Sequence, residues 1–306
     1  MSVGKIKWQP IVAKYAFPET WRSLWQVVNS VIPFFALWYL AWRSLEVGYW
    51  LTFLLTIPAA GFMVRMFIIF HDCCHGSFFK SQLANDRRGV GDVYTMTVEE
   101  YLAAPWYKKL GYRIMRSPAI LFTVGAAIVF AITHRFWSAE SGKREKNSVI
   151  WTNITLFGFV GWTIYHIGWQ AYVLVELPIL LMACGAGVWL FYVQHNFEPT
   201  YWERHANWSF FNAGMDGSSF YKLPKVLQWF TGNIGYHHIH HLSPKIPNYK
   251  LEECHNETPT FQIEPLTFRD SLQSLYFRLW DEKEKVLVGW NAVKKYKLQA
   301  QKKSEA

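Results

Sequence analysis

Long hydrophobic segments occupy much of the first two thirds of the chain, and short polar segments separate them. Four of these segments have about the 17–25 residues that a helix needs to cross a bilayer. One buried helix of a soluble protein can reach this length, but four in one chain predict a membrane protein. The predicted spans cover residues 25–42, 49–70, 149–167 and 171–193.

A fifth apolar segment, residues 118–133, is shorter than the other four. Lysines and arginines concentrate at the N-terminus, in residues 72–117 and in residues 134–148, whereas Arg43 is the single basic residue linking the first two spans. Because basic residues favour cytoplasmic loops, all basic segments share one side only if the fifth segment does not cross. We therefore expect this segment to lie in the interface or to re-enter, with both termini in the cytoplasm.

The pattern predicts an all-α membrane protein of about four transmembrane helices, with a cytoplasmic histidine-rich cap and one short interfacial or re-entrant helix. We expect a single domain over residues 1–306, with cap segments 72–117 and 195–271 and a basic C-terminal helix at 272–306. Arg65, inside the second span, is expected to extend its guanidinium to the cytoplasmic interface. No cleavable signal peptide is expected, because an early apolar core with a small-residue cleavage site is missing.

Composition supports a membrane location. Charged residues make up 17% of the chain and hydrophobic residues 51%, whereas soluble domains have about 25% charged residues. The formal net charge of +9 favours contact with an anionic membrane surface, and with an acidic redox partner, over contact with nucleic acid. The four cysteines form no CxxC pair and predict no disulfide framework. They are Cys73, Cys74, Cys184 and Cys254.

The stretch GYHHIHHLSP, residues 235–244, places four histidines within five positions. A solvated loop, a pH sensor and a metal site are each compatible with such a tract. The remaining histidines help to choose, because seven of the 11 in the chain fall on three segments that are predicted to meet at one membrane surface. These seven are His71, His75, His195, His237, His238, His240 and His241.

Helical spacing places several of these histidines on shared faces. His71 and His75 are four positions apart just beyond the second span, and residues 237–241 contain an HxxHH pattern. Positions i, i+3 and i+4 lie on one helix face, so each set can bind one metal ion, while His238 points elsewhere. His195 leaves the fourth span at the same predicted surface. The sequence therefore favours a metal site over the loop and the pH sensor.

The ligand pattern favours iron. A zinc protease would carry HExxH, and no histidine of this chain is followed by glutamate. Carboxylate-bridged di-iron bundles need two ExxH motifs, but Glu252 to His255 is the one instance here. A histidine-only site beside a bilayer points to oxygen chemistry on a lipid.

Three stretches resemble the membrane-bound acyl-lipid fatty acid desaturases, and the resemblance extends over most of the chain. They read HDCCH, QHNFE and GNIGYHHIHHLSPKIPNYKLEECH. The resemblance implies a non-haem di-iron centre and assigns no catalytic residue beyond the metal ligands. The implied ligands are His71 and His75 of the first histidine box, His237, His240 and His241 of the third, and His195 between the last span and the third box.

The same resemblance implies the reaction partners. They are an acyl lipid or fatty acyl substrate in the membrane, O2 as co-substrate, and two electrons from a carrier such as a ferredoxin, a flavodoxin or a cytochrome b5. No cytochrome b5-like segment is visible in the chain, so the electron donor is expected to be a separate protein. No nucleic acid is expected as a partner.

The chain departs from the family pattern at the second box, which is also an HxxHH. No histidine lies between His75 and His134, and the text around Asp86 and Arg87 indicates the loss of a few tens of residues. The expected function is a fatty acid desaturase-type oxidoreductase, and the missing box predicts that this chain is inactive. A lipid hydroxylase or ketolase on the same scaffold, and a non-catalytic membrane protein that retains the fold, are the alternatives.

Overall fold

A computed structural model describes residues 7–74, 94–137, 141–204 and 207–305. Most residues within these ranges are helical, which confirms the predicted class of an all-α membrane protein. His75 and the junction between Asp86 and Arg87 lie outside the described residues.

The helices and strands of the described ranges follow one another along the chain with few long connections. The α-helices are α1 Trp8–Ala13, α2 Thr20–Arg43, α3 Tyr49–Cys74, α4 Val98–Ala103, α5 Trp106–Met115, α6 Pro118–Leu121, α7 Val124–Ala131, α8 Lys143–Ile167, α9 Trp169–His195, α10 Phe210–Met215, α11 Lys225–Phe230, α12 His237–Leu242, α13 Asn248–Glu257, α14 Phe268–Ser271 and α15 Asn291–Glu305. The strands are β1 Phe220–Lys222, β2 Pro265–Thr267, β3 Leu279–Asp281 and β4 Val286–Val288.

Three helical segments in the described part of the chain are long and apolar enough to cross a membrane. They are Thr20–Glu46, Tyr49–Asp72 and Trp169–His195. A bent pair, Trp106–Met115 with Pro118–Ala131, adds a fourth if its two helices, which meet at 60°, form one broken span. Three to four candidate spans agree with the predicted number.

Two predicted segments differ in detail from this set. Helix α8 contains the predicted span 149–167, but polar residues such as Asn153 and His166 leave it less apolar than the three segments above, so its crossing stays a prediction. The predicted interfacial or re-entrant segment, residues 118–133, forms α6 and α7. Their bend relative to α5 is the geometry of a broken span or a re-entrant loop.

The described residues form two compact units, of which one combines Gln26–Met66 with Ser117–Trp189. Within it, Arg65 is only 3% exposed, and its Nε donates to Ser30 Oγ at 3.1 Å. The expectation that Arg65 extends to the interface is therefore wrong, because its charged head is enclosed by protein and bonded to a buried hydroxyl. A second polar contact joins α2 to α9, where the indole of Trp38 donates to Glu176 at 2.8 Å.

The other unit, called the first unit below, contains the described parts of Met1–Trp25, Phe67–Arg116 and Leu190–Ala306. Strands β1 and β2 pair in parallel, and β3 pairs with β4 in an antiparallel hairpin. The inward side of α12 packs into a core whose fully buried members include Ile239, Leu251 and Phe261. This core fixes α12, and with it the histidine tract, within the first unit.

The C-terminal segment corrects one prediction. Residues 272–306 were expected to form one basic helix, but the β3–β4 hairpin precedes α15, which begins at Asn291. Trp280 and Leu287 of the hairpin are buried against Trp202. The predicted basic helix is therefore limited to α15, Asn291–Glu305.

Candidate metal centre

Three imidazoles from two helices converge in the first unit. His195 is the last residue of α9, whereas His237 and His241 lie one turn apart on α12. The Nε2 atoms of His195 and His237 are 3.0 Å apart, and those of His237 and His241 are also 3.0 Å apart. One ligand atom from each of the three lies within 4.8 Å of the other two.

The spacing of these nitrogens fits a metal ion. Two nitrogen ligands that meet a metal at right angles, each at about 2.1 Å, lie about 3.0 Å from one another. His195 and His237 are buried, with 1% and 6% of their surface exposed. A buried group of neutral nitrogen donors suits a transition metal such as iron, for which imidazole is a favoured ligand.

Electrostatics keep the central imidazole in the form that binds metals. Burial lowers the pKa of His237 well below its ordinary value, and repulsion from four neighbouring imidazoles lowers it further. These neighbours are His241, His195, His240 and His71. Because a metal binds the deprotonated nitrogen, an imidazole that stays neutral around pH 7 does not have to release a proton first.

Two further histidines extend the group. The ring of His71, near the end of α3, lies 5.1 Å from the ring of His240, centroid to centroid. The His240 ring is nearly parallel to that of His237, with centroids 5.7 Å apart. The structure thus brings five of the six predicted ligands together, and the sixth, His75, lies outside the described residues. Their assignment as ligands stays a prediction.

Hydrogen bonds to two backbone carbonyl groups fix the start of α12. The side chain of Gln194, adjacent to His195, donates to the carbonyl oxygen of Ile234 at 2.9 Å. The N–H of Tyr221 donates to the carbonyl oxygen of Gly235 at 2.7 Å. A Cβ atom at Gly235 would lie 2.4 Å from the carbonyl oxygen of Tyr221, so glycine is required for this approach. These contacts hold His237 opposite the end of α9.

The fourth histidine of the tract faces the other way. His238 is fully buried, and its Nε2 lies 2.8 Å from the carbonyl oxygen of Phe261. Its ring meets that of His255 at 5.4 Å in an edge-to-face arrangement. Burial lowers the pKa of His238 to about 3, against the opposing effect of the Phe261 carbonyl. His238 therefore acts as a neutral core residue, as its helical position predicts.

Two residues near the group have no counterpart in the sequence-based prediction. Asp72 follows His71, and its Oδ2 accepts from both the backbone N–H and the side-chain amide of Asn248 at 2.9 Å. In the sequence, the position of Asp72 next to a histidine box is only a weak signal that this residue lies near the metal centre. Nothing in the spacing of the sequence connects it to a residue 176 positions away.

Similarity to known proteins assigns the chain to a family. A sequence model of the family "Fatty acid desaturase" matches residues 89–269. A protein of Bacillus subtilis named "Fatty acid desaturase" is 47% identical over 316 residues, which cover 92% of this chain and 90% of the relative. The chain belongs to the fatty acid desaturase family. The "sn-1 oleoyl-lipid 12-desaturase" of Synechocystis sp. is 22% identical over 285 residues, covering 78% of this chain and 75% of that protein.

Membership of the fatty acid desaturase family supports a desaturase-type enzyme of lipid metabolism, and it implies iron, an acyl-lipid substrate and association with a membrane. The alignment with the Bacillus protein spans 316 residues, whereas 92% of 306 residues is about 282. The difference, 316 minus 282, is about 34 positions at which this chain has no residue. That is the size of the predicted loss, whose place near Asp86 and Arg87 stays a prediction.

Proposed function

We propose that the chain carries the iron-binding scaffold of an acyl-lipid desaturase and that the missing second box leaves this scaffold incomplete. The convergence of His195, His237 and His241, with ligand atoms within 4.8 Å of one another, is the observation that carries the proposal. His71 and His240, and His75 by resemblance, complete a set of six imidazoles.

In a complete centre, iron supplies the oxidising chemistry that no side chain can provide for cleavage of an unactivated methylene C–H bond. The histidines of this chain would hold the metal without adding negative charge, and the burial of His195, His237 and His240 would limit the access of water. Two hydrogens leave the acyl chain, and two electrons with two protons arrive from outside, so that one O2 becomes two waters. The electrons come from a separate carrier of the ferredoxin, flavodoxin or cytochrome b5 type.

Two irons held largely by imidazole need more ligands than the six available. The second box would supply an HxxHH, and the chain has no histidine between His75 and His134. Water or a stray carboxylate does not replace oriented imidazoles and the groups that fix them. The chain as it stands is therefore expected to bind at most about one iron and to form no unsaturated product.

An insertion tests this proposal. The chain, purified in detergent, is compared with a variant that receives an HxxHH-containing segment between Asp86 and Arg87. A matched control insertion has the same length, with alanine in place of the three histidines. Iron per chain is measured after reconstitution, and lipid products are analysed with O2 and a competent reductant.

We expect the histidine-bearing insertion to raise both iron content and unsaturated product, and the alanine control to raise neither. Two irons and an unsaturated product from the chain without insertion would contradict the ligand assignment. A hydroxylated product from the restored chain would show that the scaffold belongs to a lipid hydroxylase rather than to a desaturase. Iron binding without any product from the restored chain would favour a non-catalytic membrane protein.

The proposal also sets an orientation, with both termini and the metal centre on the cytoplasmic side. Lys225 at the start of α11 has a largely exposed side chain, so a cysteine placed there can be labelled. We expect K225C to react with an impermeant thiol reagent from the cytoplasmic side. Labelling from the opposite side alone would overturn the orientation.

A further inference from the structure

Asp72 is tied to Asn248 by two hydrogen bonds to a single carboxylate oxygen. Asp72 Oδ2 accepts from the backbone N–H of Asn248 and from its side-chain amide, both at 2.9 Å. Asn248 is 2% exposed and is the first residue of α13. A carboxylate that receives two such bonds in a buried setting has one preferred position, because losing either bond would strand a buried donor.

The second oxygen of the carboxylate points to a histidine of the site. Asp72 Oδ1 lies 3.9 Å from His71 Nδ1, and 16% of the Asp72 side chain is exposed. A negative charge beside Nδ1 favours the tautomer that carries its proton there, which leaves Nε2 as the nitrogen that binds a metal. In metal sites generally, carboxylates that accept a hydrogen bond from a ligating histidine have this orienting effect. At 3.9 Å, Asp72 acts on His71 through its charge rather than through a hydrogen bond.

Asn248 is itself held against the end of α3. Its carbonyl oxygen accepts from the side chain of Asn233 at 3.1 Å, and Asn233 has a positive φ of 58°. The preceding residue, Gly232, also has a positive φ, and a Cβ there would lie 2.9 Å from the side chain of Ile68. The turn before α12 therefore rests on α3 one helical turn before His71.

We propose that Asp72 and Asn248 are a positioning pair that orients His71 towards His240. The pair connects the first histidine box to the segment after the third box through two hydrogen bonds. This inference rests on the proposed function, since it assumes that His71 is a metal ligand.

Metal titration in a mutant cycle tests the pair. Co²⁺ serves as a spectroscopic probe for Fe²⁺, and its affinity is measured by visible absorption for the full chain and for D72N, H71A and D72N/H71A. Asn at position 72 keeps an acceptor for Asn248 but removes the negative charge. E252Q is the matched control, because it removes an ion pair with Lys225 from the surface of the same helix α13.

We expect D72N to weaken Co²⁺ binding by about 10–100-fold, to leave the melting midpoint of the metal-free protein unchanged, and to have no further effect in the H71A background. E252Q should bind as the unmodified chain does. The exchange variant D72N/N248D, which reverses the polarity of the pair, should recover part of the affinity lost in D72N.

The possible outcomes distinguish a failure of the Asp72–Asn248 positioning role from a failure of the proposed metal centre. If H71A weakens binding and D72N does not, or if D72N weakens it equally without His71, the positioning role is wrong while the ligand assignment stands. If H71A and H237A both leave Co²⁺ binding unchanged, the proposed metal centre itself fails, and the pair fails with it.

Discussion

The four histidines of α12 divide between two surroundings that differ in what each imidazole faces. On one side, His237 meets other imidazoles, at 3.0 Å from both His195 and His241. On the other side, His238 meets a backbone carbonyl, that of Phe261, at 2.8 Å. Both rings are buried and both have lowered pKa values, so burial alone does not separate them.

The difference lies in the partners. His238 has an acceptor that satisfies its N–H, and apolar and aromatic neighbours around the rest of the ring, which is how a polar side chain becomes part of a core. His237 faces groups of its own kind, an arrangement that gains most when a metal ion binds them all. Residues one position apart on a six-residue helix thus pack into the core in one case and face the proposed metal site in the other.

The largest difference between the two histidines is expected in metal binding, and the variant H237A tests it. His237 is the central member of the three-histidine group, so its removal should weaken Co²⁺ binding at least about 1,000-fold, or about 4 kcal/mol. The melting midpoint of the metal-free protein should fall less than in a His238 variant, because removal of His237 also relieves the crowding of imidazoles. Retained affinity in H237A would show that the group does not bind the metal.

The opposite result is expected for H238A. Loss of the bond to the Phe261 carbonyl strands a buried acceptor and leaves a cavity, which together cost about 2–3 kcal/mol of folding stability. The melting midpoint should fall by several degrees while Co²⁺ affinity stays within about threefold. H238Q, whose amide can donate to the same carbonyl, is the control and should recover part of the midpoint. A loss of metal affinity equal to that of H237A would erase the distinction between the two faces.

The division of the tract could be predicted from its spacing, since positions 237, 240 and 241 share a face and position 238 does not. The hydrophobic segments likewise predicted a helical membrane protein, because a run of apolar residues long enough to cross a bilayer leaves an unambiguous signal. The family followed from short motifs that contain several histidines at fixed spacing, and such motifs are seldom accidental.

Contacts between distant parts of the chain could not be predicted in this way. The bonds from Asn248 to Asp72 join residues 176 positions apart and leave no periodic pattern. Arg65 illustrates the same limit, because burial against Ser30 depends on which helix lies beside it. The β3–β4 hairpin was missed because its strands have three residues each, too few for alternation to stand out beside the basic α15.

The smallest effect concerns His255, the aromatic neighbour of His238 on the core side. Burial lowers the pKa of His255, against opposing effects of the Phe261 carbonyl and of Glu252, and the rings of Phe220, Tyr236 and His238 surround it. A histidine with a lowered pKa in the folded state takes up its proton more readily when unfolded. Its contribution to stability is therefore complete above the ordinary pKa of about 6.5 and declines as the pH falls below that value.

The comparison of the unmodified chain with H255Q isolates this contribution, provided both are metal-free. The advantage in unfolding free energy of the unmodified chain over H255Q should shrink between about pH 7.5 and about pH 5.5, by at most about 1.4 kcal/mol. Thermal unfolding at both pH values measures it, and the imidazoles of the metal group cancel because both proteins contain them. A constant difference would mean that His255 titrates alike in both states. A difference that grows at low pH would mean that Glu252 stabilises a charged His255, which would place a titrating ion pair on the side of α12 that we assign to the core.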